Sequence, residues 1–190
     1  MILNSSSRYI KAAVLPNFNS LQHYMAKTNS NKVVLPNNIK HYEPIVQDLC
    51  STLNYDGIIH VTVDEKLVKK GKTQRKPELH VDGRFSGMDW SHPYPGWNHV
   101  CNELPIPRMS VAVISNLARC KVYHGKFEAT PSEQGDLSHI RHLVGDGKLV
   151  PANEWHLLTP DCVHESLPFE VDAERIFVRV AFETHPLKDK

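Results

Sequence analysis

Ile58-Ile59-His60-Val61-Thr62-Val63 is where this 190-residue chain changes texture. The β-branched run predicts a strand, and the two sides of it read differently. Upstream, Asn38 is placed to cap a helix whose apolar positions Ile39, Tyr42, Ile45, Val46, Leu49, Cys50 and Leu53 form one stripe of a 3.6-residue period. Pro44 predicts a kink or a late start in that helix, and Gly57 its stop. A shorter helix is expected over Ser20 to Lys27. Downstream, strands are expected at Glu78–Asp82, Met109–Ile114, Cys120–His124 (pairing with 109–114), Lys148–Val150, Trp155–Thr159 and Arg175–Phe182. Residues 125–135 read as a polar loop, and 83–107 as a long connection rich in Gly, Pro, Trp and His. Many short strands separated by turn signals predict a β-sandwich or barrel. With helices first and strands after, the helices should pack outside one sheet. The expected fold is α+β, mainly β, in a single domain over 1–190: a helical N-terminal support over 1–57 and a strand-rich core over 58–182.

Composition narrows the function classes. The length suits one domain and allows a core without disulfide staples. Apolar residues are 41% and charged residues 23% of the chain, which excludes a disordered chain, a collagen and a coiled coil. Lys plus Arg number 22 against 21 Asp plus Glu, a formal charge of +1. A protein held to nucleic acid mainly by phosphate contacts is more basic than that, so only a local patch is left for such a role. Cys50, Cys101, Cys120 and Cys162 make no C-x-x-C pair and read as free thiols of a reducing compartment. No leader-like start and no run approaching ~18 apolar residues is present, so a cytoplasmic protein with no membrane span is expected. Histidine is in excess, 12 in 190, and is the commonest metal ligand.

Two segments carry the chemistry. In Leu79-His80-Val81-Asp82-Gly83, residues i and i+2 of a strand share a side, so His80 and Asp82 face one point. An imidazole and a carboxylate so placed are two ligands for a divalent metal. In Trp155-His156-Leu157-Leu158-Thr159-Pro160-Asp161-Cys162-Val163-His164-Glu165-Ser166, a strand ends in the Pro160-Asp161 turn and His164 opens the next. Arg175 and Arg179 follow on one face of the strand Arg175–Phe182. An inward Arg needs an anionic partner, because an unpaired buried guanidinium is expensive.

The pattern H-x-D, about eighty residues, H, then R resembles the iron(II)- and 2-oxoglutarate-dependent oxygenases over about Ile58 to Phe182. The resemblance implies a double-stranded β-helix, a jelly-roll barrel with flanking N-terminal helices. It implies iron(II) held by His80, Asp82 and His164, with 2-oxoglutarate and O2 as cosubstrates. It assigns the distal carboxylate of 2-oxoglutarate to Arg175 by spacing, with Arg179 as the rival or as a contact to the other carboxylate. Arg is suited to that task by its bidentate fork. The R-x-S arrangement of part of the family is missing: Phe177 follows Arg175 and Ala181 follows Arg179, so the second cosubstrate contact stays unassigned. Relatives that halogenate replace the metal carboxylate with a small residue. Asp82 therefore favours hydroxylation, or oxidative demethylation, with release of succinate and carbon dioxide. The alternative is a cupin-like metal-binding protein or isomerase using the same histidines without 2-oxoglutarate.

Other features bear on substrate. Arg84, two residues past Asp82, and Trp90 and Trp97 in the long connection are candidate substrate contacts, the tryptophans as a stacking lid. Asn116 and Arg108 bracket a central strand. Lys66, Lys69, Lys70, Lys72, Arg75 and Lys76 form a basic loop leading into His80, which places a nucleic acid or nucleotide beside a small metabolite among the substrate classes. His139 and His142 lack a third ligand at suitable spacing. Oligomeric state is not legible.

Overall fold

The computed structural model describes residues 2–82, 110–132, 135–183 and 185–186. Among these, eleven strands and one α-helix form a mainly β architecture of antiparallel sheets. The large sheet has the order β2 (Ser7–Ala12), β9 (Glu154–Leu158), β5 (Ser110–Ser115), β11 (Ala173–Phe182), β4 (Ile58–Val68), β3 (Gln22–Asn29). A smaller sheet orders β10 (Val163–Ser166), β6 (Cys120–Tyr123) and β8 (Lys148–Leu149), and β1 (Ile2–Ser5) pairs with β7 (Gly125–Glu128).

Alternation along β11 sets the layers. Ile176, Val178, Val180 and Phe182 point to one face and join a cluster with Val46, Leu49 and Cys50 of the helix α1 (Glu43–Leu53). Phe177 and Ala181 point to the other face and pack with Val122, Val150 and Cys162 under the small sheet. The large sheet is thus the middle layer, with α1 behind it and the small sheet before it. Each buried Leu, Val or Ile of these layers contributes roughly 1.5–3 kcal/mol against exposure. The helix begins at Glu43 after a 3-10 turn over Asn37–Tyr42. Pro44 sits in its first turn, where the missing N–H has no intrahelical partner to lose. The helix ends at Asn54 in the left-handed region rather than at Gly57.

Several expectations are corrected. The segment 1–57 is helical only over Asn37–Leu53; β1, β2 and β3 occupy the rest of it with their connections. Ser20–Lys27 is no helix: Gln22–Asn29 is an edge strand whose register slips between His23 and Ala26, with Met25 at φ 57°. That bulge converts strand alternation into the three- and four-residue spacing of Leu21, Tyr24 and Met25. Cys120–Tyr123 pairs with β10 and β8, not with β5, because the 116–119 connection carries the chain to the other sheet. Gly125–Glu128 is a strand rather than loop. Glu78–Asp82 is not a regular strand: only His80 bridges, to His164 and Asp136. Among the described residues, no helix is long and apolar enough to cross a membrane.

Candidate metal centre

His80 and His164 are brought together by their own backbones. The His80 N–H donates to the His164 carbonyl at 2.9 Å, and the His164 N–H donates back to His80 at 2.8 Å. This reciprocal pair sets the rings side by side, centroids 4.2 Å apart. Each ring is then oriented by its own chain: His80 Nδ1 lies 2.6 Å from the Glu78 carbonyl, and His164 Nδ1 lies 2.9 Å from the Cys162 carbonyl. A carbonyl only accepts, so both Nδ1 atoms carry a proton, which leaves Nε2 as the ring position open to a ligand. This is the outer support that metal-binding histidines usually have.

Asp82 completes the group. One ligand atom from each of His80, Asp82 and His164 lies within 4.8 Å of the others, a spacing that suits one ion. Asp82 Oδ2 is 3.9 Å from His164 Nε2 and 3.4 Å from Arg179 Nη1. Burial works to raise the Asp82 carboxyl, but Arg179 and then the two histidines hold it well below the usual carboxylate range. Burial, followed by the neighbouring His164, pushes His80 down to about 3. The group is therefore a carboxylate and an unprotonated imidazole beside a third nitrogen donor, the state a divalent cation requires.

The two arginines have different surroundings. Arg179, 5% exposed, reaches Asp82 and the Met25 sulfur. Arg175 is 0% exposed. Its Nε donates to Ser115 Oγ at 3.0 Å, while Nη1 and Nη2 are buried with no hydrogen-bond partner among the described residues. Its guanidinium carbon lies 5.8 Å from the Phe169 ring centre and 5.5 Å from that of Phe177. Burial lowers the Arg175 guanidinium to about 10. Two such donors on a fully buried cation are costly unless an acceptor meets them.

The basic run is a strap rather than a free loop. Lys66 lies within β4. Lys69 pairs with Asp172, Gly71 N–H donates to the Phe169 carbonyl, and Phe169 N–H donates to the Lys72 carbonyl. Arg75 turns inward, 3.5 Å from Asp64 Oδ2 and 5.3 Å from the Phe177 ring centre. Asn116 is structural: its side chain accepts from Ile176 N–H and donates to the Glu174 carbonyl, fastening β11 to β5. His139 and His142 are exposed on the 3-10 segment Ser138–Leu143. Arg84, Trp90, Trp97 and Arg108 lie outside the described residues. Sequence reasoning missed Ser115 and Phe169, and took Arg75 only as part of the basic loop, not as an inward-facing side chain. Ser115 is found only through strand register, since Phe177 pairs with it across β5 and β11. No protein-family model matches the chain, and comparison with curated proteins finds no significant match.

Proposed function

We propose that this protein is an iron(II)- and 2-oxoglutarate-dependent oxygenase of the hydroxylating type, folded as a double-stranded β-helix. The observation that carries the reading is the orphaned, fully buried Arg175 guanidinium, on the same face of β11 as the Arg179 that grips Asp82. A metal group alone suits many proteins. A metal group beside a buried cation lacking its anion suits one whose metal-bound ligand also carries a distal carboxylate. The donor set fits iron(II): two imidazole Nε2 atoms with fixed tautomers and one ionised carboxylate.

When bound, iron(II) supplies the splitting of O2 between 2-oxoglutarate, which leaves as succinate and carbon dioxide, and a substrate C–H bond, which becomes C–OH. The chain's own residues do the rest. Arg179 holds the Asp82 carboxylate in its ligating orientation. Arg175 takes the distal carboxylate of 2-oxoglutarate through Nη1 and Nη2, as a bidentate fork. Phe169 and Phe177 keep water from that ion pair, which strengthens it. Arg179, already committed to Asp82, is the weaker candidate for the distal carboxylate.

The test is direct. Manganese-loaded protein should bind 2-oxoglutarate by calorimetry, and iron-loaded protein should release succinate from it in air. His80→Ala should lose both properties. Metal binding without any 2-oxoglutarate binding would overturn the reading and leave a metal-binding protein or isomerase of cupin type.

A further inference from the structure

We infer that Ser5 is a positioning residue for His164, holding the peptide group that aims the imidazole ring. The assignment rests on the metal centre proposed above and adds to it a residue from the far end of the chain. Ser5 closes β1 and is 3% exposed, whereas the neighbouring Ser6 side chain is exposed.

The Ser5 hydroxyl has two backbone partners. Its Oγ accepts from the Val163 N–H at 2.8 Å, and its own proton goes to the Tyr123 carbonyl. Val163 and Tyr123 face each other across β10 and β6. The Val163 N–H belongs to the same peptide group as the Cys162 carbonyl, and that carbonyl accepts from His164 Nδ1 at 2.9 Å. One planar unit thus carries the ring's hydrogen bond on one edge and the serine's on the other. Because the unit is rigid, turning its N–H away from Ser5 also turns its carbonyl away from the ring. All three bonds donate in the same sense, from His164 through the peptide and the hydroxyl to Tyr123, so each polarises the next.

Ser5 is itself tied to the turn that delivers His164. The Asn4 N–H donates to Asp161 Oδ2 at 2.9 Å. The Ser6 N–H donates to Thr159 Oγ1 at 3.1 Å, and the Thr159 N–H donates back to the Ser6 carbonyl at 3.0 Å. Leu3, fully buried, joins a cluster with Leu79 and Val81, which flank His80, and with Val163, which precedes His164. β1 therefore backs both histidine segments, and the serine is placed before any ion arrives. This is support one step further out than the carbonyls that fix the two rings.

Two measurements test the assignment. In metal-free protein, proton NMR follows the exchange of each ring Nδ1 proton with water. Ser5→Ala should speed the His164 exchange roughly tenfold, the factor that one lost hydrogen bond is worth. The His80 proton, which faces the Glu78 carbonyl, should not change. In cobalt(II)-loaded protein, Ser5→Ala should weaken cobalt binding about tenfold, the lower end for outer partners of a metal ligand, and shift the visible absorption. Ser5→Thr keeps the hydroxyl and should restore most of both. Ser5→Cys, with weaker bonds at similar size, should fall between, and it replaces the alanine variant if that one does not fold. Ser6→Ala should match wild type. Val46→Ala, in the α1 layer, controls for lost stability and should move neither the ring exchange nor the cobalt spectrum. A Ser5→Ala protein that matches wild type or Val46→Ala in both measurements would overturn the assignment. Failure of wild type to take up cobalt would remove the metal centre instead, and the ring protons would still decide whether Ser5 orients His164.

Discussion

Replacing Arg175 with methionine should make the ligand-free protein more stable and its cosubstrate binding far worse. Burial pulls the guanidinium down to about 10, well below its ordinary value. At ~1.4 kcal/mol per decade, the charged form costs the native state about 3 kcal/mol at neutral pH. The sign follows from the lowered value: a cation harder to keep in the fold than in the unfolded chain destabilises the fold wherever it is charged. Methionine fills a similar slot between Phe169 and Phe177 and makes good sulfur–aromatic contacts. It forfeits the bond from Nε to Ser115 Oγ, worth about 1 kcal/mol. The net gain is about 2 kcal/mol, or roughly 4–8 °C in Tm for a domain of this size. Thermal unfolding at fixed metal concentration reads this directly. Adding 2-oxoglutarate at a hundred times its Kd should raise wild type by about 2.7 kcal/mol and leave Arg175→Met where it was. A variant that melts below wild type without ligand would refute the claim that the guanidinium lacks its counter-charge. A variant that still shifts with 2-oxoglutarate would refute the site.

Three further outcomes follow from the geometry. Asp82→Ala should abolish manganese binding by calorimetry and, by removing the carboxylate that Arg179 reaches, lower stability by roughly 1–3 kcal/mol; retained tight binding would contradict the ligand set. Gly147→Ala should cost about 2 kcal/mol, since a Cβ there meets the Tyr123 ring at 2.6 Å and the Val122 carbonyl at 2.9 Å, at a φ of +64°. Gly145→Ala, at φ +62° with nothing within 4 Å, should cost about half as much in urea unfolding; equal losses would show that the close approach is immaterial. Glu165 is desolvated, yet its bonds from Arg141 and Tyr123 hold it below the usual carboxylate value. Its contribution is therefore full above the ordinary Glu range and is lost as pH falls through the lowered value. Glu165→Gln should lower stability at pH 7 by about 1 kcal/mol and flatten the acid limb of the stability curve, whereas an unchanged limb would assign the acid sensitivity to other carboxylates.

What could be read from the sequence was whatever a short window determines. The α1 stripe is visible because Val46, Leu49, Cys50 and Leu53 recur at helical spacing and do face the sheet. The two faces of β11 are visible because Ile176, Val178 and Val180 alternate with Arg175, Phe177 and Arg179. His80 and Asp82 were found by i, i+2 spacing, although their segment is a single bridge rather than a strand. The N-terminal strands were missed for a local reason: β2 and β3 are the edges of the large sheet, so their burial is partial, and the bulge at Met25 breaks the alternation. Ser115 and the strap were missed for a non-local one. Nothing near Ser115 in the chain marks it; only its pairing with Phe177 does. Nor does the charge run reveal that Arg75 turns inward to Asp64 while Lys69 turns to Asp172.

The reciprocal backbone pair between His80 and His164 also governs when this site can exist during folding. The two residues stand about eighty positions apart, and closing a loop of that length costs about 4 kcal/mol of chain entropy. Long-range closures of this kind form late, after local hairpins and helices have narrowed the search. Here the closing strand, β10, must first find β6. A nascent chain ending before Val163 carries His80 and Asp82 but presents them as an open pair, with no partner backbone to align the first histidine. On the proposed function, metal capture would then be a late event in the life of each molecule, a seal on completed tertiary structure rather than a template for it.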